Sequence, residues 1–237
     1  MYRDRAELYD LIYHWKNYQA EAARVREKLA AEGIPDGSRV LEAACGTGSY
    51  LQHLRESYDL TGFDRSEEML AIAREKLPAG LTLFRADMAG FTVDRPYDAL
   101  LCLFSSIGYL YPEARLRAAA KCFANAVRPG GVLVIEPWIA PEEYRPGYGS
   151  MQTYDRPELK LCRASLGQRD GDIAVMDFHW LVLRTGADAV EHLVDVHRMW
   201  LCPRELMLRV FREAGFECRL DPEGLMPGRG LIIGRRR

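Results

Sequence analysis

The 237 residues carry 32 lysines and arginines against 34 aspartates and glutamates, a net charge of −2, with 48% hydrophobic and 28% charged residues. Such a chain can bury a full core, which excludes disordered, fibrous and disulfide-scaffold classes. No basic block interleaved with aromatics and no long apolar run is present, so neither a nucleic acid nor a membrane is expected as a partner, and Met1 to Arg5 do not open a secretory signal. The six cysteines are scattered without a CxxC pair and read as reduced thiols of a cytoplasmic protein.

Two helical patterns come first, Ala6 to about Tyr13 and Tyr18 to Ala31, and a loop with Pro35 and Asp36 ends them. Short apolar runs then alternate with helical stretches. Val40 to Ala44, Leu60 to Phe63, Leu81 to Phe84, Ala99 to Phe104 and Val132 to Ile135 read as strands, with Leu51 to Arg55, Met69 to Leu77 and Ala114 to Ala126 between them as helices. That alternation predicts βαβ units and a parallel sheet covered on both faces, an α/β Rossmann-like fold.

After Pro137 the period changes. Lys160 to Arg163, Ile173 to Leu183 and Leu193 to Leu201 read as extended segments, with turns at Gly167, at Asp170 and Gly171, and at Gly186 to Asp188, which predicts an antiparallel insertion. A helix at Glu205 to Ala214 and strands at Phe216 to Leu220 and Gly230 to Ile233 close the chain; Arg235 to Arg237 read as a solvated tail. The expected organisation is a single domain: a helical cap at 1–37, a ligand-binding core at 38–137, a substrate-binding insertion at 138–202 and a closing unit at 203–237.

The strongest chemical signal is the run Val40, Leu41, Glu42, Ala43, Ala44, Cys45, Gly46, Thr47, Gly48, a buried strand entering a small-residue turn. In open α/β sheets ligands bind beyond the carboxyl ends of the strands, where glycine lets a ligand approach the backbone. Asp64 ends the next strand, about twenty positions after Ala44, where an acidic side chain can accept both ribose hydroxyls. The loop lacks the third glycine of a dinucleotide fingerprint, because Leu51 stands three residues after Gly48. An adenosine ligand with an amino acid end in place of phosphates fits better, which is S-adenosylmethionine, leaving S-adenosylhomocysteine as product. Asp87 and Met88, after the third strand, suit the adenine.

With Phe104, Ser105 and Ser106 after the fourth strand and Arg128, Pro129, Gly130, Gly131 before the fifth, residues 39–136 resemble the class I S-adenosylmethionine-dependent methyltransferases, whose sheet has seven strands. The resemblance narrows with Ala6 to Asp10 and Tyr13, FSSIGYL at 104–110, EPW at 136–138, His179, Asp195 to His197 and Gly228 to Leu231. These are similar, over nearly the whole chain, to the bacterial N,N-dimethyltransferases that finish dTDP-linked deoxyaminosugars of antibiotics. The resemblance implies that Lys16 and Tyr18 meet the methionine carboxylate. It further implies that Glu42, Ala44, Gly46, Gly48, Asp64, Arg65 and Met69 surround the amino acid and ribose parts, and that Asp87, Met88, Phe104 and Ser105 hold the adenine and sulfonium sides. Tyr13, Ser106, Tyr109, Glu136, Trp138, His179 and Arg229 would face the sugar nucleotide, Arg229 on its phosphates. Two segments depart from the pattern: His14 to Asn17 are a shortened stretch, and Leu166 stands where the family has a histidine.

Bland readings compete at several of these positions. A histidine on a strand such as His179 is more often structural, and its neighbours Met176, Phe178, Trp180 and Val182 read as plain core. His192, Asp195 and His197 alternate in a way that splits them between faces, so no metal is expected. Methyl transfer is an in-line displacement in which Tyr13, Glu136 and His179 are expected to orient the amine, with no single side chain an indispensable base. The expected partner is a small nucleotide sugar, methylated once or twice, on a monomer or homodimer. Alternatives are a methyltransferase of another small metabolite, a nicotinamide-dependent oxidoreductase, disfavoured by Leu51, and a non-catalytic binding protein.

Overall fold

The computed structural model describes residues 3–237, with side chains from Ala6 onward. Two helices open it, α1 (Arg3–Ile12) and α2 (Tyr18–Ala31). Asn17 caps α2, its Oδ1 accepting from the Ala20 N–H at 2.9 Å. There follow β1 (Arg39–Ala43), α3 (Ser49–Leu54), β2 (Asp59–Asp64), α4 (Glu67–Lys76), β3 (Thr82–Arg85), β4 (Tyr97–Cys102), α5 (Glu113–Ala126) and β5 (Val127–Ile135). Ser66 caps α4 through the Met69 N–H, with Glu67 and Glu68 favourably placed in the first turn. The chain ends with α6 (Arg204–Glu213), β10 (Phe216–Asp221) and β11 (Leu231–Arg236), after the four strands described below.

The main sheet has the order β10-β11-β5-β4-β1-β2-β3, parallel from β5 to β3, with β11 antiparallel to β5 and β10 antiparallel to β11. Chain order reverses between β1 and β4, Val40 lying opposite Leu60 on one side and Ala99 on the other. A crevice forms outside the carboxyl ends at such a reversal. The segments opening there are Ala44 to Gly48, Asp64, Phe104 to Ser106 and Glu136. The sheet is buried on both faces: α5 and α6 cover one around Phe123 and Phe211, and α2, α3 and α4 cover the other around Leu29, Leu51 and Leu70.

The insertion has four strands where the sequence suggests three: β6 (Gly149–Asp155), β7 (Leu159–Asp170), β8 (Ile173–Arg184) and β9 (Glu191–Trp200), in that spatial order. The strand β6, with the sequence GSMQTYD, is too polar to announce itself and becomes a strand by pairing with β7. Gly167 is not a turn but lies within β7, opposite Met176; the turn is at Gly171. One face of this sheet packs on α1, where Leu8 and Ile12 meet Leu161, Trp180 and Val182. Among the described residues, no helix is long and apolar enough to cross a membrane, and the cysteines are all free thiols.

The basic C-terminus is also not a solvated tail. Arg235 and Arg236 belong to β11, Arg235 bonding Glu32 and Arg236 donating to the carbonyls of Ala124 (3.0 Å) and Gly215 (2.9 Å). Arg236→Ala is therefore expected to cost about 1–2 kcal/mol and to lower Tm by about 2–8 °C; an unchanged melting curve would show these bonds to be idle.

Candidate functional site

Two cavities open at the carboxyl ends of β1 and β4. The smaller, of about 50 Å³, is lined by Glu42, Ala44, Cys45, Gly46 and Thr47 from the β1 turn, with Tyr18, Tyr50 and others around it. The larger, of about 400 Å³, lies between that turn region, α1 and the inner face of the insertion. Tyr9, Phe104 and Ser106 line both, so these residues form the wall where the two meet.

The backbone is bent to make room. Ala44, Gly46 and Gly48 after β1 and Phe104 and Ser105 after β4 all have positive φ, between 50° and 76°. Such values are uncommon for non-glycine residues, and strain of this kind gathers at functional sites. Gly48 is required twice, since a Cβ there would also meet Leu77 Cδ1 at 2.7 Å.

Glu42 points from β1 into the smaller cavity, is 2% exposed, and its Oε2 has no partner among the described residues. Burial, reinforced by the nearby Asp64 carboxylate, pushes its carboxyl up to about 8. Asp64 braces the β1 turn: Oδ2 accepts from the Gly46 N–H and Oδ1 from the Ser66 N–H, both at 2.9 Å. Its carboxyl is also raised by burial, against the pull of those N–H groups. Tyr18 reaches the smaller cavity, edge-on to Tyr50.

Other residues expected around the cofactor line neither of these cavities. Lys16 is buried over the Phe104 ring, its ammonium held by both Glu21 oxygens (2.5 and 2.6 Å), and it lines neither cavity. Arg65 is exposed, and Met69 serves the α4 cap through its backbone. Asp87 accepts from Ala89 N–H and is paired with Arg115 at 2.7 Å, while Met88 packs on the core with its sulfur 3.7 Å from Cys102 Sγ. Ser105 lines neither cavity; its hydroxyl donates to the Pro137 carbonyl and accepts from Arg229 Nη1, both at 2.8 Å.

The larger cavity brings together Tyr13, Ser106, Tyr109, Trp138 and Arg229. Glu136 lies behind it, fully buried, with no well-formed hydrogen bond to either oxygen and Arg229 Nη1 4.0 Å away. Burial raises its carboxyl, and the Arg229 and Lys16 charges oppose that rise. Tyr109 donates to His197 Nδ1, whose Nε2 is 3.0 Å from Asp195 Oδ2. These partners assign the proton to His197 Nε2.

His179 does not join the site. It sits on the outer, exposed face of the insertion, stacked on His192 with Nδ1 3.1 Å from its Nε2. Strand alternation turns Phe178 and Met176 into the cavity instead, so the face read as plain core is the one that carries the pocket. Asp195 and His197 are on this inner face as well, apart from His192. The sequence reading also missed Arg163, Gln152, Ser150 and Ser165, inner-face residues on β6 and β7. The alternation of β7 marks them, but only once β6 is recognised as its partner.

A methyltransferase domain family matches residues 40–131. The chain is 39% identical, over 97% of its length and 89% of the relative's, to a dTDP-3-amino-3,6-dideoxy-alpha-D-glucopyranose N,N-dimethyltransferase of Streptomyces fradiae. It resembles the crystal structure of Streptomyces venezuelae DesVI with a TM-score of 0.91 and 34% identity over 98% of both chains. It also resembles CalS10, an amino pentose methyltransferase of Micromonospora echinaspora solved with S-adenosylmethionine bound, with a TM-score of 0.86 and 33% identity over 97% of both chains.

Proposed function

We propose that this chain, which belongs to the family of S-adenosylmethionine-dependent dTDP-deoxyaminosugar N,N-dimethyltransferases, methylates the amine of a dTDP-linked deoxyaminosugar, twice in succession. The observation that carries the reading is the meeting of the two cavities at Tyr9, Phe104 and Ser106. The residues of the smaller cavity fit the amino acid end of the cofactor, the part its volume can take: the buried Glu42 Oε2 lacks a donor, which that end supplies, and the left-handed turn at Ala44 and Gly46 brings backbone close to a ligand.

When bound there, S-adenosylmethionine supplies an electrophilic methyl group on a sulfonium. The protein's part is to orient the amine and exclude water, and orientation alone can contribute roughly 7–11 kcal/mol. Tyr13 packs edge-on against Phe104 at 5.1 Å and, tilted, against Tyr9 at 4.8 Å, forming an aromatic wall beside the meeting point. An ammonium has no lone pair, so a proton must leave the amine first. Tyr109 is a poor acceptor because its hydroxyl is already engaged with His197 Nδ1. Glu136 is screened behind Arg229 and Ser105. Proton loss to water before or during binding accounts for the arrangement, with no obligatory base.

Mass spectrometry of products from a panel of dTDP-amino sugars tests the proposal: species one and then two methyl groups heavier are expected, and methylation only of amines lacking the nucleotide would overturn it. On the same panel, Tyr13→Phe, Tyr109→Phe and Glu136→Gln are each expected to keep kcat within about a hundredfold, because a positioned base contributes about 10²–10⁴-fold. His179→Asn, on the outer face, should leave kcat and KM as in the wild type. Loss of more than about 10⁴ in kcat with both ligands still bound, together with loss of the pH dependence, would establish a true base.

A further inference from the structure

We infer that Arg163 is the anion anchor of the larger cavity and holds the diphosphate of the sugar nucleotide; this rests on the nucleotide-sugar reading above. Arg163 lies on β7, directly opposite Gln152 of β6, in the cavity wall, and is 4% exposed. Its guanidinium donates from Nε and Nη2 to Gln152 Oε1 (3.3 and 2.8 Å) and from Nη1 to the Tyr13 hydroxyl (3.1 Å). A guanidinium has five N–H groups, so one on each terminal nitrogen has no partner among the described residues.

No described carboxylate pairs with Arg163. Every bond it makes among the described residues is to a neutral acceptor, and the rings of Phe178, Tyr13 and Trp180 surround it at 4.5, 4.8 and 5.2 Å. Ring faces attract the cation but satisfy neither remaining N–H. Arg229, the other cation of the wall, is differently placed, 4.0 Å from Glu136 and bonded to Ser105. A buried charge without a counter-charge is costly unless a ligand compensates it. The compensating group is an anion presenting two oxygens to the fork, as a phosphate does. The next row of the same face adds the Ser150 and Ser165 hydroxyls, 2.8 Å apart, of which one donates to the other and leaves one O–H to give. This cluster lines the larger cavity and not the smaller, which points it to the sugar nucleotide and away from the cofactor's own carboxylate.

Calorimetry with dTDP, in the presence of S-adenosylhomocysteine, tests the assignment on wild type, Arg163→Gln and Arg163→Lys. The glutamine variant is expected to lose about 10- to 100-fold in dTDP affinity, the value of a charge-assisted pair, while S-adenosylhomocysteine binds as before. The lysine variant keeps the charge without the fork and should fall between; if the glutamine variant does not fold, this variant carries the test. Thymidine, which lacks the phosphates, should bind both variants as it binds wild type. Wild-type dTDP affinity in a folded variant, or an equal loss for thymidine, overturns the assignment alone. A wild type that does not bind dTDP overturns the nucleotide-sugar reading and the assignment together.

Discussion

If Asp64 holds the cofactor ribose as we propose, Asp64→Ala is expected to weaken S-adenosylhomocysteine binding by about a hundredfold or more, since two charge-assisted hydrogen bonds are worth about 1.5–3 kcal/mol each. The structure adds a second loss. The carboxylate already accepts the Gly46 and Ser66 N–H groups, so removing it releases the turn that shapes the smaller cavity and leaves two backbone donors without their partner. At 9% exposure Asp64 is also more buried than a strand end suggests, and the variant should lose about 1–3 kcal/mol of stability. Asp64→Asn, which keeps an acceptor oxygen, should lie between in both respects. The two readouts are calorimetric affinity and urea midpoint, and an unchanged affinity in a folded alanine variant would remove Asp64 from the cofactor site.

Glu42 has a pH signature of its own. Its carboxyl is pushed up to about 8 by burial, with Asp64 adding to the rise, while in the unfolded chain it titrates in the ordinary carboxylate range. A group raised on folding contributes stability that is fully present below the unfolded value and is lost as pH climbs through the folded one. From this group the wild type should therefore lose on the order of a few kcal/mol between about pH 4.5 and about pH 8. Glu42→Gln has no such titration, so its urea midpoint should gain on that of the wild type across the window. Ligand binding gives the complementary reading, because an ammonium near Glu42 favours its ionised form. S-adenosylhomocysteine binding at neutral pH is expected to release a proton, seen as a dependence of binding enthalpy on buffer. A constant stability difference between variant and wild type across the window, with no buffer dependence, would show that Glu42 is already ionised.

What could be read from the sequence was local in the chain. A strand, a small-residue turn and a helix succeed one another from Val40 to Leu54, and Asp64 falls at the end of the very next strand; parallel pairing then brings both to one sheet edge. Phe104 to Ser106 and Glu136 follow from the same rule at the next two strands. The loop chemistry pointed to the cofactor, and the family resemblance supplied the sugar nucleotide and the inclusion of Tyr13, Tyr109, Trp138 and Arg229. Period alone separated the antiparallel insertion from the core.

The tertiary structure decided which way things face and what they touch. Alternation along β8 shows that Phe178 and His179 point oppositely but not which of them meets α1 and the cavity; the packing of Leu8 and Ile12 on Trp180 and Val182 settles that and sends His179 outward. Lys16 has the charge for a carboxylate ligand, and only the fold reveals that Glu21, one turn into α2, already takes it. Asp87 likewise meets Arg115 from a different element, and Arg236 finds the Ala124 carbonyl on α5. Arg163 joins Tyr13, a residue 150 positions away, through a strand pairing with β6 that no hydrophobic pattern announces. Chain order and period determine elements and strand ends because those depend on neighbours in sequence; faces, counter-charges and burial depend on neighbours in space.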